Sequence, residues 1–166
     1  ADYRPISITP VLIRMLEKAI VRTYIYPAIL RPPTSLAFND QFAFRPSGSP
    51  TAAIIYLLHT ITQMLTTNPY VSVIALDFSK AFDMVRHCTL LEKLALLDMP
   101  DSVYNWLVSF FSDHAHCTTF RDQMSTVRSI TASVIQGSAI GPSAYIVTTG
   151  DLTVIEDGNA MCKFAD

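Results

Sequence analysis

The stretch Val71-Ser72-Val73-Ile74-Ala75-Leu76 limits the fold more than any other feature of the chain. It is short, carries two β-branched valines, and is apolar on both faces. Such a run reads as a strand buried on both sides, in the middle of a sheet. It needs neighbours for its backbone ladder and other elements packed above and below. It ends at Asp77, which places a carboxylate at the carboxyl end of a central strand, where α/β sheets tend to bind ligands.

The composition supplies a core to pack on such a strand. Half of the 166 residues are hydrophobic and 16% are charged, which excludes a disordered chain and suits one domain with a sizeable core. Five Gly, ten Pro and three Cys exclude collagen-like and disulfide-framework classes. No apolar run approaches the roughly 18 residues of a membrane span, and the N-terminus has no apolar signal region. Cys88, Cys117 and Cys162 are widely spaced and odd in number, as expected of reduced thiols in an intracellular protein or of small buried residues. Charge is unevenly divided. Residues 1–50 carry six Lys/Arg against three Asp/Glu, and residues 51–166 carry six against eleven. A basic front and an acidic rear suit a site where cations meet an anionic ligand.

The chain has no repeats and alternates helices with short strands. Thr9-Pro10 opens a helix with Leu12, Met15, Leu16, Ala19, Ile20 and Tyr24 at helical spacing, and Pro27–Pro33 is expected to end it. Ser49-Pro50 opens a second, with the stripe Ile54, Leu57, Leu58, Ile61 and Leu65, stopping near Asn68-Pro69. After Asp77 a helix carries Leu90, Leu91, Leu94 and Leu97, and another covers Val103–Phe111. Cys117–Arg121 and Thr126–Val134 read as a hairpin around Asp122-Gln123. Gly141-Pro142 begins a helix expected to run to about Ile155. Residues 156–159 form a turn, and Met161–Phe164 is a last short strand.

Several groups of residues carry chemistry in this pattern. Asp77 and Asp166 each follow a strand; paired, they repel unless a cation sits between them, and Mg²⁺ takes one or two carboxylates plus substrate phosphates. An isolated aspartate after a strand is otherwise a helix cap. Gln136-Gly137-Ser138-Ala139-Ile140-Gly141 places two glycines before a helix, which permits close backbone approach to a ligand or makes an ordinary loop. Arg4 and Arg45 in the basic front have the planar fork that grips phosphate. His114-Ala115-His116-Cys117 has no second ligand pair at zinc spacing and reads as a loop.

The order of five blocks is more specific than any of them singly: Tyr3-Arg4-Pro5-Ile6-Ser7; Gln41-Phe42-Ala43-Phe44-Arg45-Pro46; Ala75-Leu76-Asp77-Phe78-Ser79-Lys80-Ala81-Phe82-Asp83; Gln136 to Pro142; and Phe164-Ala165-Asp166. This succession resembles the reverse transcriptase domain of non-LTR (LINE-type) retrotransposons, over essentially the whole chain. The resemblance implies an α+β right-hand polymerase. Residues 1–70 would be fingers and 71–166 part of the palm, a small antiparallel sheet packed on helices, truncated at the Phe-Ala-Asp-Asp box and without a thumb. It implies that Asp77, the Phe78 backbone carbonyl and Asp166 hold two Mg²⁺ ions, for which Mn²⁺ can substitute. Phe82 would be the bulky gate against the ribose 2′-hydroxyl. Gln136 and Gly137 would line the nascent base pair, and Arg4 and Arg45 would meet the incoming nucleotide, Arg4 being the stronger candidate for its triphosphate.

The implied reaction is attack of a primer 3′-hydroxyl on the α-phosphate of a deoxynucleoside triphosphate, helped by two ions that activate the attacking oxygen and stabilise the pyrophosphate. The implied partners are an RNA template, a DNA primer, deoxynucleoside triphosphates, and the thumb and endonuclease regions of a parent polyprotein. The implied setting is intracellular, in nucleus and cytoplasm, as a ribonucleoprotein. This 166-residue piece alone is expected to be inactive. Where the family has Gly and Pro, Ala43 and Ile135 stand here, and these departures favour an alternative, a relic that only binds nucleic acid. An RNA-dependent RNA polymerase shares the palm, but commonly carries an aspartate at the position of Phe82.

Overall fold

The computed structural model describes residues 9–113, 115–135 and 137–164, with His116 described in its backbone only. Arg4, Gln136 and Asp166 lie outside the described residues. The class is α+β, helices with small antiparallel ladders.

The first helical rod is α1 (Val11–Ile20), a π turn (Val21–Ile25) and α2 (Tyr26–Leu30). The rod continues past Pro27 and ends at Leu30, inside the Pro27–Pro33 stretch expected to end it. Proline lacks an N–H and crowds the carbonyl four residues back. The π turn lies directly ahead of it, and Pro27 falls in the first turn of α2, where an N–H is spare. The expected stripe is buried only from Ile20 onward: Leu12 is 80% and Met15 63% exposed. The face that packs is Glu17, Ile20, Val21, Ile25, Ala28 and Ile29.

Helix α3 (Pro50–Thr67) has the bounds its signals demand. The Ser49 hydroxyl accepts from the Ala52 amide at 3.1 Å, Pro50 takes the first turn, and the Asn68 side chain donates to the Met64 carbonyl at 2.9 Å. Its expected stripe is not core, however, since Ala53 is its one buried residue and Ile54, Leu58 and Leu65 are exposed. The core lies elsewhere. Helix α4 (His87–Leu94) packs on both α5 (Asp101–Phe111) and α6 (Gly141–Thr148). Leu90, Leu94, Leu107 and Ile146 join Ile25, Ile29 and Phe38 in one apolar cluster.

Helix α6 stops at Thr148, well short of Ile155. Gly150 is the reason. Its carbonyl accepts from the Ala37 amide at 2.7 Å, and a Cβ there would stand 2.6 Å from the Phe38 ring. The chain leaves the helix to let this buried aromatic pass. Lys93 of α4 secures that end by donating to the Thr148 carbonyl and pairing with Asp151 at 2.6 Å.

The hairpin forms around Arg121-Asp122 as two antiparallel ladders: β2 (Thr119–Phe120) with β3 (Gln123–Met124), and β1 (Ala115–His116) with β4 (Arg128–Ser129). The register shifts between them. Thr118 faces Ser125, yet His116 faces Arg128, so the returning strand carries one extra residue, a bulge. The residues of β2, β3 and β4 are exposed.

The run Val71–Leu76 corrects the opening expectation: it is not a strand, and Ile74 is 81% and Leu76 74% exposed. A ladder needs a partner backbone, and no described residue pairs with it. Residues 158–164 face it across a cleft instead of beside it. Met161–Phe164 likewise forms no strand, only a parallel bridge from Lys163 to Gln41. Among the described residues, no helix is long and apolar enough to cross a membrane. Replacing Gly150 by Ala should cost about 1–3 kcal/mol through overpacking against Phe38, read as a lowered urea midpoint.

Candidate active site

The turn after Asp77 delivers Phe82. The Lys80 carbonyl accepts from the amides of Asp83 (2.9 Å) and Met84 (3.0 Å), with Lys80 itself at a positive φ of 55°. Residues 82–87 then run antiparallel to 131–134. The Val134 amide donates to the Phe82 carbonyl at 3.0 Å, and the Ser133 amide to the Val85 carbonyl at 2.8 Å. The backbone of Phe82 is thereby fixed to the segment leading into Gln136.

The Phe82 ring lies on Tyr145 of α6, with centroids 5.0 Å apart and planes at 20°, and it takes the edge of Phe44 at 5.9 Å. Ala43 is buried against the same pair. Two of the blocks read from the sequence, those at 41–46 and 77–83, therefore meet on one half-buried aromatic, and residues flanking the 136–142 block, Val134 before it and Tyr145 after it, touch it as well. Sequence reasoning singled out Phe82 but missed Tyr145, whose only signal was its place one turn into the helix that follows the glycine loop.

Asp77 and Phe78 line a cleft of about 630 Å³ whose other walls are Tyr56, Ile61 and Met64 of α3 and the segment 158–164, including Phe164. Asp77 is exposed there. Asp166, expected to face it, lies outside the described residues. Among the described residues no group of three or more His, Cys, Asp or Glu gathers as a metal site. Asp77 and Phe78 are both exposed, and they offer one carboxylate and one backbone carbonyl as oxygen donors. They fit Mg²⁺, which keeps several of its waters and binds through one or two carboxylates plus substrate phosphates.

Arg45 is half-buried and turned into its own loop, where its guanidinium donates to the Phe38 carbonyl and its Nε is buried without a partner. The loop itself is held by Lys163. The Lys163 ammonium donates to the carbonyls of Ala37 (3.0 Å), Thr149 (3.3 Å) and Leu152 (3.0 Å), and pairs with Asp40 at 2.9 Å.

The glycine loop shows why its residue types are needed. Gly137 has φ of 106°, which disfavours a side chain. A Cβ on Gly141 would press on the Ile135 carbonyl at 3.2 Å. Past Gly137, Ser138 Oγ donates to Glu17 Oε2 at 2.8 Å, and the Ala139 amide donates to the same oxygen at 2.6 Å. Glu17 was not among the sequence candidates. Its signal is positional: it lies on the helical face of Ile20, Val21 and Tyr24, three, four and seven residues on, where a carboxylate is out of place.

Comparison with known proteins identifies the family. The model of the reverse transcriptase (RNA-dependent DNA polymerase) family matches residues 1–166, and the chain belongs to that family. It is 31% identical over 151 residues to the probable RNA-directed DNA polymerase from transposon BS of Drosophila melanogaster, covering 91% of this chain and 16% of that protein. It is 30% identical, with the same coverage, to the RNA-directed DNA polymerase from mobile element jockey of Drosophila funebris. Identity to the probable RNA-directed DNA polymerase from transposon X-element of Drosophila melanogaster is 26%, over 92% of this chain. The chain thus spans about a sixth of the length of these relatives.

One thiol reports on the cleft. Burial, and then the nearby charge of Asp40, raise the Cys162 pKa above the ordinary 9.0. Because the thiolate is the nucleophile, iodoacetamide at pH 8 should label the exposed Cys88 and Cys117 well ahead of Cys162. The Cys162 rate should still climb above pH 9.0.

Proposed function

We propose that this chain is the fingers (1–70) and partial palm (71–166) of a retrotransposon RNA-directed DNA polymerase, adding deoxynucleotides to a primer 3′-hydroxyl along an RNA template. The observation that carries the reading is the meeting of the 41–46 and 77–83 blocks on Phe82, with Val134 and Tyr145 from either side of the 136–142 block, beside a cleft that presents Asp77 and Phe78. The family match and the names of the relatives support it.

In this reading the Asp77 carboxylate and the Phe78 carbonyl hold divalent metal together with Asp166. Bound Mg²⁺ supplies charge neutralisation for the transferring phosphate. Phe82, braced by Tyr145 and Phe44, cannot swing away from an incoming sugar and so excludes a 2′-hydroxyl. Gly137 allows backbone to approach the nascent pair beside Gln136. Arg4 meets the triphosphate. Arg45, which donates to the Phe38 carbonyl, reaches a nucleotide only by leaving that partner. Thumb and endonuclease regions of a longer polypeptide complete the working enzyme and hold template and primer through their backbones.

Two outcomes are expected for primer extension by the complete polypeptide. Asp77→Asn should lower kcat about a thousandfold, because a metal's charge stabilisation amounts to several kcal/mol. Extension unchanged by that substitution removes Asp77 from the site; binding of template and primer by a wild-type protein that never extends them favours the relic. Phe82→Ala should raise the ratio of ribonucleotide to deoxynucleotide kcat/KM by at least about tenfold. That ratio is independent of the fraction folded, so a constant ratio rejects the gate.

A further inference from the structure

We infer that Glu17 is a positioning residue for nucleotide addition, a latch on α1 that fixes the glycine loop. The inference rests on the polymerase reading, in which Gln136 and Gly137 line the nascent base pair. Glu17 is 0% exposed. Its Oε2 accepts both Ser138 Oγ (2.8 Å) and the Ala139 amide (2.6 Å), from a segment 121 residues further along the chain. Its Oε1 is buried without a partner.

That arrangement is a poor device for stability alone. A buried carboxylate carries a large desolvation cost, and one oxygen without a donor leaves part of it uncompensated. It is a good device for holding backbone in place. A carboxylate is the strongest acceptor a side chain offers, and here both of its bonds end within two residues of Gly137. Gly137, at φ of 106°, has no side chain to hold itself, and the next residue is pinned instead. Ser138 passes the restraint on. Its Oγ accepts from the Ile140 amide at 3.1 Å, and the Ile140 carbonyl accepts from Ser143 Oγ at 2.8 Å inside α6. Glu17 thus joins α1, the glycine loop and the helix that carries Tyr145 in one hydrogen-bonded line. It acts on the reaction through the loop and touches no substrate.

The test uses the complete polypeptide, with substitutions Glu17→Ala, Glu17→Gln and Ser138→Ala. Glu17→Ala should speed amide exchange at Ala139 and raise the KM for a single deoxynucleotide by about tenfold or more, the usual effect of losing bonds to a charged group. The Kd for template–primer should stay constant, which a general loss of structure cannot produce. Glu17→Gln keeps an acceptor in place and should restore most of both effects. Ser138→Ala removes one of the two bonds and should fall between, and it decides the matter if Glu17→Ala fails to fold. The latch is overturned if KM and Ala139 exchange stay at wild-type values, or if KM rises only in step with the template–primer Kd. If the wild-type protein extends no primer, the polymerase reading alone has failed. Ala139 exchange then decides the latch, and wild-type protection in the variants overturns it.

Discussion

A buried ammonium, that of Lys163, is the point on which three separate stretches of chain close. A lysine at 8% exposure is tolerable only with its charge and its donors satisfied. Three carbonyls, from Ala37, Thr149 and Leu152, and the Asp40 carboxylate do so. The backbone repeats the connection: Lys163 donates its amide to the Asp40 carbonyl at 2.7 Å and accepts from the Phe42 amide at 2.9 Å. One cation therefore fixes the loop that carries Phe44, the exit from α6 and one wall of the cleft. The cleft owes its width to this anchorage, because its opposite wall, 71–78, has no ladder to hold it.

The aromatic cluster follows from that anchorage. Phe44 meets Phe82 because its loop is tied at Asp40 and Phe42. Tyr145 meets Phe82 because α6 is docked on α4. The ring is braced on one face and at one edge, and its backbone is held by Val134.

Local signals were legible and distant ones were not. Ser49-Pro50 and Asn68 gave both ends of α3 because caps and prolines act within a turn. The hairpin and the 156–159 turn followed from the same short-range chemistry. The fate of Val71–Leu76 did not, because burial depends on partners that hydrophobicity cannot supply. The end of α6 depends on Phe38, far away in sequence, and so does the need for Gly150. At the candidate site, block order named Asp77, Phe82 and Gly137 as candidates. It could not show Phe82 as the meeting point, nor Tyr145 beneath it. Glu17 was overlooked because an acidic residue in an amphipathic helix is ordinarily assigned to solvent.

The π turn at Val21–Ile25 has a geometric effect on everything after it. A π turn holds about one residue more than an α turn, and each α-helical residue advances the helix by about 100°. The rod therefore changes phase in its middle. Ahead of the turn the inward face is set by Glu17 and Ile20; behind it, by Ile25, Ala28 and Ile29. A rod of uniform pitch aligned on one half would swing the other half aside by roughly that angle. It would bring either a carboxylate to the glycine loop or an isoleucine to the core, but not both. The extra residue works as an angular adapter, letting a single rod serve two neighbours that lie in different directions.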